Sequence, residues 1–446
     1  MPPLLPANTL HQGPGTAARW SAALLLVLAG LASTSATALD FSISGYGTLG
    51  YARSNQSYTY QRFIDDDGTL RRDSGAGLQL DARFADKFGA TVQVTAASAA
   101  DSDSRYEGTV SWAFLSYRPT NDWLFRLGRQ RIPLYLHSQN YDVGVTYDFA
   151  RLPTEMYSIS PGNDFNGVSF SKNWALEGGD LTLDGYWGQA KVDGRFWFRE
   201  GLPPLLSAGA QFRGVTLRGT GLVLTYKRDD DSYRMGLHRA VGRLQNGGAL
   251  PKTYPFVTLF PGVGYYQVDA AIPGPGIPTI NNVPNNIIAL GAEVGLGAGY
   301  RVTGEFARTY VTRAGVDIAN ASDRGYVAVL KSVGKWTPYL SYAFLRSEAR
   351  QRDLYKRVNA NSLPGFIPGA ALINASQRAG ADAMLVYDQG SWAVGTSYAF
   401  SATSKLKAEF MRVHVGQMSS LVDAPAGSDI RNQNINVFSL SYSVVF

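Results

Sequence analysis

The chain ends in "NVFSLSYSVVF". From Phe438 every second residue is apolar or aromatic (Phe438, Leu440, Tyr442, Val444, Phe446), and Ser439, Ser441 and Ser443 between them are small and polar. A period of two puts the two sets on opposite faces of a strand. Strands in soluble sandwiches usually run about five or six residues, whereas about ten is the length that crosses a bilayer when tilted in a barrel.

The pattern recurs along the chain. Phe41, Ile43, Leu49 and Tyr51 alternate with Ser42, Ser44 and Thr48, and Leu78, Leu80, Ala82 and Phe84 alternate with Gln79, Asp81 and Arg83. Val92 and Val94 alternate with Thr91, Gln93 and Thr95; Leu181, Leu183 and Trp187 with Thr182 and Asp184; Ile288, Leu290 and Val294 with Gly291 and Glu293; Tyr300, Val302 and Phe306 with Arg301, Thr303 and Glu305. An Arg or Lys aimed into lipid at the midplane costs roughly 2 to 4 kcal/mol, so the charges opposite these hydrophobes face a wet interior.

Connections alternate in length too. Short ones fall near Asp86, Pro119 to Asn121, Glu177 to Asp180, Asp229 to Asp231, Gly297 to Gly299, Gly334-Lys335 and Ala402 to Ser404. Between them lie long ones, including Arg131 to Asp164, Gly242 to Asn286 and Ser347 to Gly390. Short turns on one side and long loops on the other belong to an all-β transmembrane antiparallel barrel, and the segments number about sixteen. Two segments resist assignment: the register of Tyr326 to Val333 is open, and Ala381 to Tyr387 either extends a strand or forms a hairpin within the preceding loop.

Near the N-terminus, Arg19 and Trp20 precede "SAALLLVLAGLA", and small residues follow up to Ala36-Thr37-Ala38. Positive flank, short apolar core and A-x-A site read as a cleaved secretory signal over residues 1–38, leaving 39–446 as one barrel domain. The long polar stretch before Arg19 leaves a start downstream of Met1 open. A net charge of +6 over 446 residues gives no footprint for nucleic acid. With no cysteine, disulfides and thiolate metal sites are excluded. No cofactor or metal site is expected: the acids of "FIDDDGTL" are consecutive rather than spaced as in a calcium loop, and "RDDDS" sits at a turn. A secreted soluble sandwich or solenoid would explain the alternation but neither the strand length nor the loop asymmetry. It would also leave the aromatics at strand ends, Tyr51, Phe84, Trp123, Trp187, Tyr300, Trp336 and Phe400, without the interfacial girdles that account for them.

"GYGTLG", Gly45 to Gly50, has the spacing of a dinucleotide-binding loop. That reading requires a helix after the pattern to receive the phosphate, and the polar, turn-rich "YARSNQSYTYQRF" follows instead. The glycines belong to the first spanning strand. Gly45 and Gly47 share the outward face with Ile43 and Leu49, and Gly50 points inward.

These features together resemble a Gram-negative outer-membrane porin of the sixteen-stranded, usually trimeric kind. "LSYSVVF" is similar to the family's C-terminal targeting strand, "GYGTLGYA" resembles its first strand, "FRLGRQRIPLYL" the fifth strand entering the third loop, and "YAFSATSKLKAEFMRV" the last turn with the fifteenth strand. The resemblance implies a homotrimer among outer-membrane lipids and lipopolysaccharide. Phe438, Leu440, Tyr442 and Phe446 would be read by the barrel-assembly machinery, and Gly45 and Gly47 would flatten the wall for a neighbouring subunit. It also implies a third loop, residues 131–164, folded into the lumen with acids facing basic wall residues. "RLPTEMY" only loosely resembles the Pro-Glu-Phe motif found there in some porins, with Thr154 inserted.

Candidates for the constriction are Arg83 and Arg126 on the wall, Arg129 and Arg131 at the loop's entry, and Asp142, Asp148, Glu155 and Asp164 on the loop. Strict alternation puts Arg129 on the face of Phe125 and Leu127, so it faces the lumen only if Gly128 marks a bulge. The expected function is a water-filled channel for passive diffusion of small hydrophilic solutes and ions, weakly anion-preferring. The alternatives are a channel selective for carboxylates, phosphate or sugars, a barrel enzyme, or an adhesin. The enzyme reading has only His137, His238 and His414 after the leader to offer, and no G-x-S-x-G or H-E-x-x-H pattern.

Overall fold

The computed structural model describes residues 40–159, 164–312, 315–318 and 321–446; the signal expected over residues 1–38 lies outside the described residues. Sixteen antiparallel strands close into a barrel. They are β1 (Asp40–Ser54), β2 (Gly75–Ala85), β3 (Phe88–Ser98), β4 (Tyr106–Tyr117), β5 (Trp123–Arg131), β6 (Asp164–Leu176), β7 (Gly179–Phe198) and β8 (Gly209–Arg228). The second half comprises β9 (Asp231–Leu244), β10 (Val283–Gly297), β11 (Tyr300–Val311), β12 (Ser322–Lys331), β13 (Trp336–Ser347), β14 (Tyr387–Ser401), β15 (Ser404–Ser419) and β16 (Gln433–Val445). Each strand pairs with its neighbour in sequence, and β16 closes on β1 in a register from Tyr46 opposite Val445 to Ser54 opposite Val437. The closing rung continues to the last residue: the Gly45 N–H donates to the Phe446 carbonyl at 2.8 Å and the Phe446 N–H returns to Gly45 at 3.0 Å. The closed barrel sheet leaves no strand edge of its own among the described residues.

Alternation works as expected. Leu49, Trp187, Leu237, Leu340 and Val394 stand exposed on the outer face, while Thr91, Gln93, Ser441 and Ser443 are buried within. An apolar exterior is stable only against lipid. Aromatics stack around the turn side: Phe88 on Tyr117 at 4.7 Å, Trp123 on Phe125 at 5.5 Å, and Trp336 beside Tyr398 at 4.7 Å. Trp187 departs from the strand-end expectation. Its strand is 20 residues long and pairs throughout with an equally long β8, so this hairpin runs past the apolar belt and leaves Trp187 in mid-strand.

The long connections carry structure of their own. One helical turn, α1 (Thr154–Tyr157), lies in the third loop, and α2 (Ala349–Ala360) and α3 (Ala370–Asp382) lie between β13 and β14. Residues 381–387 are therefore neither a strand extension nor a hairpin: α3 ends at Asp382 and β14 begins at Tyr387. Helix α2 buries Leu354, Tyr355 and Val358 against Tyr60 and Ile64 of the first loop and Val422 of the last, above Val413 and Ile435 of the wall. Ion pairs add to this packing. Arg195 bridges Asp103 at 2.8 Å and Asp423 at 2.6 Å, and Arg199 reaches Asp382 at 2.6 Å.

The register left open at residues 326–333 is now explained. Val327 and Val329 face outward, yet Tyr326, Ala328 and Leu330 on the inner face are buried as well. Phe149 and Tyr157 of the third loop pack there, which removes the polar half of the alternation.

Candidate functional site: the inward-folded third loop

Beyond Arg131 the chain leaves the wall and turns into the barrel. Leu134, Tyr135, Phe149, Leu152, Met156 and Tyr157 bury against Ile287, Ala289, Ala307, Tyr326, Leu330 and Tyr339 on β10 to β13. At about 25 cal/mol per Å² such a contact is the main force holding a loop inside a barrel. Its polar groups decide where it docks. Glu305 on β11 accepts the Leu136 N–H at 2.8 Å and the Tyr326 hydroxyl at 3.1 Å, and the Tyr157 hydroxyl also donates to it. Tyr339 accepts the Ala150 N–H at 3.1 Å and donates to Glu409 on β15 at 2.7 Å. Lys407 donates to the Gly144 carbonyl at 2.7 Å, Arg151 grips Asp73 through Nε at 2.7 Å, and Arg234 reaches the Pro133 carbonyl at 2.5 Å.

The eight constriction candidates do not meet at one point. Arg131 sits between Asp142 at 2.8 Å and Asp164 at 3.2 Å, with Arg129 at 3.6 Å from Asp164, so these four clamp the two ends of the loop. Gly128 has φ of +136°, but the ladders on both sides run through it without a register shift, so no bulge reverses the alternation. Asp148 forms a second group: its Oδ1 accepts from Lys405 at 2.8 Å and Ser397 at 2.8 Å, and its Oδ2 from Arg301 at 2.6 Å. Burial opposes its ionisation, but the bond and charge of Lys405, then Ser397 and Arg301, outweigh it and hold its pKa below the usual carboxylate value. Glu155 is fully buried in a third place, accepting from Gln389 at 2.8 Å; burial raises its pKa despite that bond. Arg83 and Arg126 stand apart from the loop. Arg83 is exposed near the turn end of β2, and Arg126 lies over the Phe114 ring at 5.6 Å.

Among the described residues, then, three of the four candidate loop acids are ion-paired and the fourth is buried, while neither Arg83 nor Arg126 has a carboxylate partner. Opposite the docked loop runs a polar strip bonded within itself: Thr91 to Asp81 at 2.6 Å, Gln93 to Gln79 at 2.9 Å, Ser111 to Gln93 at 2.9 Å and Ser171 to Asp184 at 2.6 Å. None of these bonds goes to the loop.

Glu409, Lys405 and Lys407 were not singled out from the sequence, and Arg301 and Glu305 were read only as charges on the inner face. Alternation places each on the inner face, but their partners are loop residues far away in the chain, which no local spacing reveals. The histidines sit apart from one another. His238 Nδ1 faces the Tyr186 hydroxyl at 3.0 Å, His414 lies on the outer face by Asn434 at 3.2 Å, and His137 is part of the docked loop.

The outward glycines differ. A Cβ at Gly45 would lie 2.4 Å from the Phe446 ring and 3.0 Å from Leu78, so this chain's own last residue fills that space; at Gly47 the nearest atom, on Val444, is 3.8 Å away. Phe438, Leu440 and Tyr442 face outward and Phe446 is 72% exposed.

No family model and no curated protein sequence matches the chain. Its structure is similar to a variant of OmpT, an outer membrane protein of Vibrio cholerae, lacking loop L8: 13% identity and a TM-score of 0.51 over 92% of this chain and 100% of that one. It is also similar to an anion-selective porin from Comamonas acidovorans (12%, 0.49, 92% and 100%) and to the outer membrane channel DcaP of Acinetobacter baumannii (12%, 0.48, 93% and 99%). The first likeness carries the fold, a closed antiparallel barrel, and the apolar belt sets that barrel in lipid.

Proposed function

We propose that the protein is an outer-membrane porin: a water-filled channel for passive diffusion of small hydrophilic solutes and ions, with a weak preference for anions. The observation that carries it is the third loop, docked against β9 to β16 and facing a polar strip on β2 to β7. A loop fixed at many points across a polar lumen narrows it without closing the strip, which is what size-limited diffusion requires. The short turns would face the periplasm and the long loops the exterior. The anion preference is read from the loop, whose candidate acids are paired or buried, and from Arg83 and Arg126, which form no ion pair, although Asp81 and Asp184 share their strip. No step of this function needs a catalytic residue. In planar bilayers under a salt gradient, the reversal potential should take the sign of the anion. Clear cation selectivity would overturn the preference, and absence of conductance would favour an adhesin or a structural barrel.

A channel selective for one solute class is the second reading. Trp112 lies 6.1 Å from Phe114, beside Arg126, and an aromatic face next to a guanidinium suits a carboxylate or a sugar. Block of conductance by millimolar dicarboxylate or disaccharide, but not by chloride, would favour it.

We infer a homotrimer in contact through the outer face of β1. Gly47 keeps that wall flat, whereas Gly45 has a role within its own chain. Recognition of the terminal strand by the assembly machinery is inferred from outward Phe438, Leu440, Tyr442 and Phe446.

A further inference from the structure

The hairpin of β7 and β8 continues past the apolar belt, and its ladder runs without a register shift to Phe198 opposite Gly209. Its far end bonds to loops that are not its neighbours in the ring. Arg195 donates through both η nitrogens to Asp423, at 2.7 and 2.6 Å, and through Nε to Asp103 at 2.8 Å. The other oxygen of Asp103 accepts from Arg62 of the first loop at 2.8 Å, and that guanidinium lies over Phe212, the ladder partner of Arg195. Trp197 Nε1 donates to the Ala424 carbonyl at 2.8 Å. Arg199 donates to both oxygens of Asp382, from its backbone N–H at 2.9 Å and from Nε at 2.6 Å, and an η nitrogen reaches Asn359 at 2.6 Å. Glu200 accepts from Arg378 at 2.6 Å.

Ring order turns these bonds into a position. Asp423 and Ala424 lie between β15 and β16, eight strands from the hairpin in either direction, which is the far side of a sixteen-stranded ring. With strands about 5 Å apart and tilted by about 40°, such a ring is roughly 30 Å across, so opposite elements touch only above the lumen. Asp103, between β3 and β4, and Asp382, at the end of α3, come from two further sectors of the ring to the same hairpin. Alternation agrees. Arg195, Trp197 and Phe212 continue the ladder face that carries Trp187 outward in the belt, and that face meets these distant loops only because the ribbon bends over the mouth. The side chains of Arg195 and Asp423 are 12% and 5% exposed, so this clasp is shielded from water, and its bidentate geometry fixes the ribbon's angle.

We propose that the folded-over end of the hairpin, clasped by Arg195 and Arg199, is a second size filter at the outer mouth, passed by solutes before they reach the third loop. It divides an opening that the strands alone would leave wide. The charges of Arg195, Arg199 and Glu200 are consumed in ion pairs, so the filter sorts by bulk. No hydrogen bond or ion pair joins residues 193–211 to the third loop among the described residues, so the two constrictions are built separately. The proposal rests on the diffusion channel above and adds where that channel discriminates.

The test is swelling of liposomes carrying the purified full-length protein, in uncharged mono-, di- and trisaccharides, so that size alone is read. Two variants are compared with the native protein. In one, residues 195–212 are replaced by Asn-Gly, which joins the opposed pair Gly194 and Arg213 in a tight hairpin turn. The other, Arg195→Gln/Arg199→Gln, keeps the hairpin and releases it. Entry of trisaccharide relative to monosaccharide should rise several-fold in both. An unchanged ratio in the shortened protein would overturn the filter and leave the channel standing; a rise in the shortened protein alone would overturn the role of the two arginines. Swelling by none of the three proteins in any sugar would overturn the diffusion channel and the filter with it. Heat-modifiable mobility, expected in all three, shows that the barrel is folded. Should the shortened protein lack it, an unchanged ratio in the double variant overturns the proposal.

Discussion

Lys405 on β15 donates to Asp148 of the inward loop at 2.8 Å, while the other oxygen of the same carboxylate holds Arg301 on β11 at 2.6 Å. One loop acid thus compensates two wall cations on opposite sides of the loop. Replacing it by Asn leaves the size unchanged and removes the charge, so Lys405 becomes available to permeating ions while Arg301 keeps Glu293 at 3.3 Å. Asp148→Asn should shift the reversal potential further toward the anion. The loop should also lose about 1 to 3 kcal/mol of docking, typical of a charged hydrogen bond, seen as faster fluctuation of single-channel current. An unchanged reversal potential would mean that ions do not pass this group.

Acidity should act on the same loop through His137. Burial, and then nearby Arg301, lower its pKa from 6.5 to about 4, against the smaller pull of Asp148. The docked loop therefore binds fewer protons than the released one between those values, and docking is lost progressively as pH falls from about 6.5 to about 4. Glu155 has the opposite sign. Burial raises its pKa, so its contribution is full below the usual glutamate value and declines as pH rises through the window above it. Current fluctuations should grow between pH 6.5 and 4, and His137→Gln should flatten that rise while Glu155→Gln steepens it. A flat profile in the native channel would remove His137 from loop docking.

The barrel was legible in the sequence wherever one face met lipid and the other met water. Residues 434–446 show this, and so does the pairing of β2 with β3. Legibility failed where a third body covered the inner face. Tyr326, Ala328 and Leu330 look like outward residues because the third loop keeps them dry. The helices α2 and α3 were missed for a related reason. They pack on other loops, and no period-two signal reports on that contact. Within the site, Arg131 with Asp142 and Asp164 could be suspected because all three lie in or beside one loop. Glu305 with Leu136 could not, because 169 residues separate them.

Gly45 and Gly47 make a paired test. A side chain at Gly45 collides with the Phe446 ring, so Gly45→Leu should strain the closing rung and lower the heat resistance of the folded barrel itself. Gly47→Leu has room within the chain and should leave the monomer's heat resistance unchanged. If the outer face of β1 meets another subunit, Gly47→Leu alone should lower the temperature at which an oligomer dissociates on native gels. Equal behaviour of the two variants would refute the separate roles.

Removal of Phe446 deletes both backbone bonds of the last rung and uncovers Gly45. The net loss from the two bonds is about 1 to 3 kcal/mol, small beside a barrel of sixteen strands. The truncated protein should therefore refold in detergent to the heat-modifiable form. Its level in the outer membrane should nevertheless fall several-fold if the exposed Phe446 side chain is read during assembly. Refolding failure in detergent would mean that the residue acts through closure and not through recognition.

Arg83 and Arg126 give the most direct test of selectivity, because neither contributes to loop docking. Arg126 rests on Phe114 and Arg83 is exposed near the turn, so Arg83→Ala or Arg126→Ala removes a lumen charge with little effect on stability. Each should reduce anion preference in a salt gradient while leaving heat modifiability unchanged. The double variant should shift by nearly the sum of the two, since the residues share no partner and are expected to act independently. Because screening shortens the reach of each charge to about 10 Å at 0.1 M salt, the effect should shrink as the mean salt concentration is raised. A reversal potential unmoved by either change, at low salt, would place the ion path away from the wall of β2 to β5.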